Sequence, residues 1–217
     1  MRDRFGMQLK YLNEQLTDMG DLCGFAIDKA VCALWEGDYR QGRKAMELDE
    51  EISQMEKDIE RLCLKLLLQQ QPVARDLRQI SAALKMVTDM SRIGNQAADI
   101  GEIILSGQFT GAVDVEGIRE MAKKAAKMVN DSVRAYVTKD LELSRRVMEA
   151  DDEVDELFTR NRERLVELIA EERGENGEFA VDLLMIIKYL ERIADHAVNI
   201  SAWVEFSITG VHRNPNG

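Results

Sequence analysis

The chain has 217 residues, 45% of them hydrophobic, and a net charge of −11. That length can bury one or two cores, and the acidic balance argues against binding nucleic acid, whose phosphate backbone attracts basic surfaces. Two prolines and 6% aromatic residues, set against abundant Leu, Glu, Lys, Arg, Met and Ala, favour an all-α fold.

Glycine and proline punctuation divides the chain into six long helical segments. The first spans 5–35 and stops near Gly37; the second spans 39–70 and stops at Pro72. "QPVARD" suits a helix stop followed by a new N-terminus, since proline tolerates the first helical turn. The third spans 73–105 and ends in "SGQFTG". The fourth spans 115–137, the fifth 141–173 up to "GENG", and the sixth 178–208 up to Gly210. Residues 211–217 read as a disordered tail that includes His212.

The last three segments echo the first three. "AMELDEEIS" (45–53) matches "VMEADDEVD" (147–155), and Asp38 matches Asp140 at the same offset, each just past a helix end. "LKMVTDMSRIGNQAADI" (84–100) matches "LMIIKYLERIADHAVNI" (184–200), with Leu, Arg, Ile, Ala and Ile identical. Two blocks in the same order at nearly the same offset indicate an internal duplication. The expectation is two tandem three-helix bundles, 1–110 and 111–210, each packed up-down-up because its connections are short.

Cys23, Cys32 and Cys63 lie within helical patterns without zinc-type spacing, which suggests buried free thiols in a reducing compartment. No apolar run approaches the length of a membrane span, and "MRDRFGMQLKYL" lacks the apolar stretch of a signal peptide. A cytoplasmic location follows as an expectation.

Candidate functional residues emerge from helical geometry. At 100° per residue, Asp195 falls about 40° and Asn199 about 80° from Glu191, on the stripe that also carries Leu184, Ile187, Val198 and Ala202. Asp151 interrupts the apolar face defined by Val154, Phe158 and Leu165, with Asp155 at its margin; Asp49 is its counterpart in the first half. Carboxylates drawn out of water need a cation or donors. Oxygen ligands four residues apart on a helix can surround a hard or borderline ion. In the first half Ser91, Asn95 and Asp99 occupy the places of Glu191, Asp195 and Asn199, and Glu102 joins the stripe. A bound cation competes here with a plain ion pair to Arg192 or a nearby lysine.

Other motifs read as structural. His196 falls off the acidic stripe and reads as a surface or bundle-edge residue. Lys123-Lys124 and Arg145-Arg146 read as solvated faces, and Met7, Met19, Met46, Met55, Met86 and Met90 as core filler. Trp203 is expected to anchor the last turns. Gly94 and Gly101 lie inside a helix, Gly94 permitting close packing. There is no phosphate-binding glycine loop and no Ser-His-Asp or Cys-His arrangement. No basic anion pocket stands out.

"QPVARDLRQI" (71–80), "SRIGNQAADI" (91–100), "LERIADHAVNI" (190–200), "NISAWVEFSITG" (199–210) and the two acidic stretches together resemble the PhoU family of phosphate-uptake regulators. The paired R-I-[GA]-x-x-A motif is the most specific part, and the resemblance covers nearly the whole chain. It implies two three-helix bundles related by a pseudo-twofold. It implies a non-enzymatic regulator that works with the phosphate ABC transporter ATPase and a sensor histidine kinase, in peripheral association with membrane complexes. Such a protein restrains the phosphate-starvation response when phosphate is plentiful. Some members hold divalent or iron-type metal ions at E/D-x-x-x-D motifs; carried over by position, Glu191, Asp195 and Asn199 would be ligands, supplemented by Asp151. Ser91 and Asn95 depart from that pattern, which leaves Asp49, Asn95 and Asp99 the weaker set. A homodimer is expected, because isolated three-helix units often associate. The alternative is a metal-binding helical protein with a storage or enzymatic role, but the Glu-x-x-His pairs of di-iron bundles are missing.

Overall fold

The computed structural model describes residues 2–70, 73–107, 109, 116–171 and 177–212. Among them are seven helices and no strand: α1 (Arg2–Glu36), α2 (Tyr39–Gln70), α3 (Ala74–Ser106), α4 (Glu116–Thr138), α5 (Leu141–Glu149), α6 (Asp151–Glu171) and α7 (Gly177–Thr209). Pro72 and most of the "SGQFTG" and "GENG" connections lie outside the described residues.

Each helix buries one stripe. On α1 it runs Leu12, Leu16, Met19, Cys23, Ile27, and on α2 Leu48, Ile52, Ile59, Cys63, Leu66, at the three- and four-residue steps of a helix. The antiparallel triplet α1–α2–α3 forms the first bundle; α4, α5–α6 and α7 form the second. α3 packs along α7 and α1 along α4, so one continuous apolar core runs through both halves. Side-chain hydrogen bonds cross that seam. The buried Tyr136 hydroxyl on α4 donates to the Gln79 carbonyl on α3 at 2.8 Å, and His196 Nδ1 on α7 lies 2.9 Å from Asp89 Oδ1 on α3.

The duplication extends to the turns. Gly37 and Lys139 both close a helix in the left-handed conformation, at φ 63° and 58°. Each is followed by an aspartate that accepts from the next helix: Asp38 from the Arg40 backbone N–H at 3.1 Å, Asp140 from that of Leu143 at 2.9 Å.

Several expectations change. The fifth segment is not one helix: α5 ends at Ala150, whose backbone N–H still bonds Arg146 at 3.0 Å, and α6 restarts at Asp151. Asp151, Asp152 and Glu153 then occupy a helix N-terminus, where the macrodipole favours anions. Met19, Met86 and Met90 are core, but Met7 and Met46 are exposed. Cys23 and Cys63 are buried free thiols, whereas Cys32 is only half-buried, its Sγ 3.8 Å from Asp28. His196 is not a surface residue; its side chain is 15% exposed and bridges the repeats. His212 is ordered rather than disordered: its ring packs against Trp203 at 4.0 Å between centroids, tilted by 43°, and Trp203 also packs edge-on against Phe206. No helix among the described residues is long and apolar enough to cross a membrane.

Candidate metal centre and the acidic faces

The two acidic sets occupy equivalent places in the duplicated bundle, yet their chemistry differs. In the second half, Asp151 at the start of α6 faces α7, which carries Glu191, Asp195 and Asn199. Asp151 is half-buried, and its Oδ1 is enclosed without a hydrogen-bond partner. Burial first, then Asp155, Asp195, Asp152 and Glu191, push its carboxyl up to about 7. Asp155, also on α6, is raised by burial and then by Glu191. Sequence geometry placed Asp155 only at the margin, and the structure makes it a member of this cluster.

Glu191 is half-buried and paired with Lys188 of the same helix. Asp195 is exposed rather than buried. Its carboxyl is nevertheless raised, by desolvation and then by Glu191, with Lys188 opposing. Asn199 is half-buried.

The first-half set has already found partners. Asp49 on α2 accepts from Asn95 Nδ2 on α3 at 2.8 Å. Burial raises the Asp49 carboxyl and this amide lowers it. Asp99 is raised by burial, Glu102 and Asp49, but Arg192 and the Tyr189 hydroxyl, both from α7, act in the opposite direction. The second repeat thus supplies a cation and a donor to the first. Gly94 permits the close approach of α2 to α3: a Cβ there would sit 3.0 Å from Asp49 Oδ1 and 3.1 Å from Ile52.

A cation fits the second set in its donor chemistry, through an unpartnered carboxylate oxygen among mutually repelling acids. It does not fit the first, whose oxygens accept from an amide and a hydroxyl. Among the described residues, no three His, Cys, Asp or Glu side chains converge to enclose one ion.

The duplicated helical bundle with an acidic face on each repeat defines a class of tandem-repeat, all-α protein. The PhoU domain model matches twice, over residues 16–104 and 118–204, and the chain belongs to the PhoU family. It is 34% identical over 212 residues to the phosphate-specific transport system accessory protein PhoU homolog of Clostridium acetobutylicum, covering 96% of both chains. It is also 34% identical to the Synechocystis homolog of the same name, covering 96% of this chain and 93% of that one. The crystal structure of PhoU from Pseudomonas aeruginosa superposes with a TM-score of 0.88 at 28% identity, over 95% of this chain and 100% of that one. The phosphate transport system regulatory protein PhoU from Streptococcus pneumoniae shares the fold at a TM-score of 0.90 and 24% identity, covering 97% and 99%.

Proposed function

We propose that this chain is an accessory regulator of phosphate uptake. It couples the ATPase subunit of a phosphate ABC transporter to a sensor histidine kinase and restrains the starvation response when phosphate is plentiful. The observation that carries this reading is the double family match across both repeats, together with near full-length relatives named as phosphate transport accessory proteins. The protein works in the cytoplasm as a homodimer, peripheral to the membrane complexes, and without catalysis of its own. Deleting the gene tests this: phosphate-responsive expression should become constitutive, and tagged protein should retain the ATPase subunit and the kinase. Unchanged expression in the deletion strain would overturn the reading.

A second reading is supported by the enclosed, unpartnered Asp151 oxygen. The second acidic set, Glu191, Asp195, Asn199 and Asp151, takes up a divalent or iron-type ion, whereas Asp49, Asn95 and Asp99 remain metal-free. A bound cation would neutralise Asp151, Asp155 and Asp195 and tie α6 to α7.

A further inference from the structure

The basic dipeptides of the chain are not simply solvated. Lys124 on α4 and Arg146 on α5 line a cavity of about 410 Å³ between these helices, joined by Lys127 and Arg134 of α4. Its carboxylates are Asp131 and Glu153. Four cations against two carboxylates give this wall a positive excess, in a chain whose net charge is −11.

The carboxylates organise those cations. Asp131 is 7% exposed and sits one helical turn from both Lys127 and Arg134. Lys127 Nζ contacts its Oδ2, and Arg134 Nη2 lies 2.9 Å from its Oδ1. One nearly buried charge therefore holds two exposed cations at the cavity mouth, and both its oxygens are engaged. Glu153, at the start of α6, holds Lys124, which Glu120 also approaches at 4.0 Å from outside the cavity wall. Among the described residues, Arg146 pairs with the exposed Glu142 at 3.9 Å, which is no part of the cavity wall. Beneath the charged groups the floor is apolar, with buried Met128, Leu143 and Val147. A concave, partly apolar wall strengthens the field of its charges.

We propose that this cavity binds a dianionic phosphoryl group, as inorganic phosphate or as a small phosphate monoester. Two arginines can offer paired N–H donors to a tetrahedral oxyanion, and two lysines add point charge. The cavity has the size of a small-molecule site. A second cavity of about 820 Å³ between α1 and α4 shares Lys127, Asp131 and Arg134 with it and reaches Trp35, over whose ring the Arg119 guanidinium lies at 4.8 Å. The organic part of a monoester has room there. The site rests on the cavity and its charges, and it holds whether or not the chain regulates uptake.

The test is calorimetric titration of the full chain, at constant ionic strength, with inorganic phosphate and separately with AMP. Arg134→Gln/Arg146→Gln is compared with Lys57→Gln/Lys65→Gln, which removes the same charge from the exposed face of α2. All four side chains are exposed, so the fold is retained, and circular dichroism verifies it. Saturable binding that weakens at least ~10-fold in the arginine variant alone supports the site, since each charge-assisted hydrogen bond contributes enough for that loss. Phosphate binding identifies the free anion as ligand; binding of AMP alone identifies a monoester. Failure of both to saturate at millimolar concentration, or equal weakening in the two variants, would overturn the proposal.

Discussion

Gly42 and Gly101 meet backbone to backbone where α2 crosses α3: a Cβ built on Gly101 would lie 2.6 Å from the Gly42 carbonyl oxygen. In the second repeat the same crossing is made by Ser144 and Ser201, where the Ser144 hydroxyl donates to the Ser201 carbonyl at 2.8 Å. The duplicated bundle therefore closes one equivalent contact by omitting side chains and the other by a buried hydrogen bond.

Gly101→Ala should destabilise the protein by roughly 1–3 kcal/mol, because the atom opposing the new methyl is main chain and can move only if a helix moves. Ser144→Ala should cost about 1 kcal/mol through its lost hydrogen bond. Urea unfolding midpoints measure both, and a Gly101→Ala midpoint equal to that of the parent would refute the close crossing.

The paired turns make opposite predictions. Lys139 adopts the left-handed conformation with a side chain, and Gly37 adopts it without one. Lys139→Gly should leave stability unchanged or raise it by up to about 1 kcal/mol, whereas Gly37→Ala should lower it by about 1 kcal/mol. Thermal unfolding of the two variants side by side gives the comparison.

Asp151 predicts a pH dependence. Its carboxyl, raised from 3.8 to about 7, keeps its proton in the folded protein after the unfolded chain has lost it. The folded state then binds the extra proton between about pH 4 and pH 7, so stability falls as pH rises through that window and is lowest above it. In chelator-treated protein, Asp151→Asn should raise the melting temperature at pH 8 more than at pH 5. An equal shift at both values would remove the role given to this carboxyl.

Metal content distinguishes the two acidic faces. Elemental analysis of purified protein should find an ion that Glu191→Ala/Asp195→Ala loses and Asp49→Ala/Asp99→Ala keeps. Protein without metal in any variant, its fold intact, would make the acidic stripe a docking surface.

The bond between Asp89 and His196 should resist replacement of either partner. Asp89→Ala leaves a largely buried imidazole without its acceptor and should cost roughly 1–3 kcal/mol. Double-mutant unfolding with His196→Ala should recover part of that loss, and full additivity would show the two side chains to be uncoupled.

The helices and the duplication were legible because their signals are local and periodic: apolar steps of three and four, glycine stops, and two blocks at a shared offset. The break at Ala150 was not, since "VMEADDEVD" keeps its apolar phase across it and alanine is the strongest helix former. Asp151 could be placed from its own helix, because its burial follows from the face it shares with Val154 and Phe158. Asp195 could not, since its exposure depends on how the other helices pack around α7. His196 with Asp89, and Lys124 with Glu153, join residues from separate helices, and nothing in either stretch signals its partner. The first-half motif is short of acids, and Tyr189 and Arg192 act on its Asp99 from the other repeat, which the motif does not signal.

Those crossings bear on how the duplication can have been kept. Tyr136 reaches the main chain of α3, Asp89 meets α7, and the apolar faces of α1 and α3 are completed by α4 and α7. Each half therefore leaves an apolar face for the other to cover. An ancestral single repeat would have had to cover the same faces with a twin, and fusing two copies made that pairing permanent. Once joined, the copies were free to diverge, one acidic face drawing on Tyr189 and Arg192 of the other repeat while the other face kept its acids in mutual repulsion.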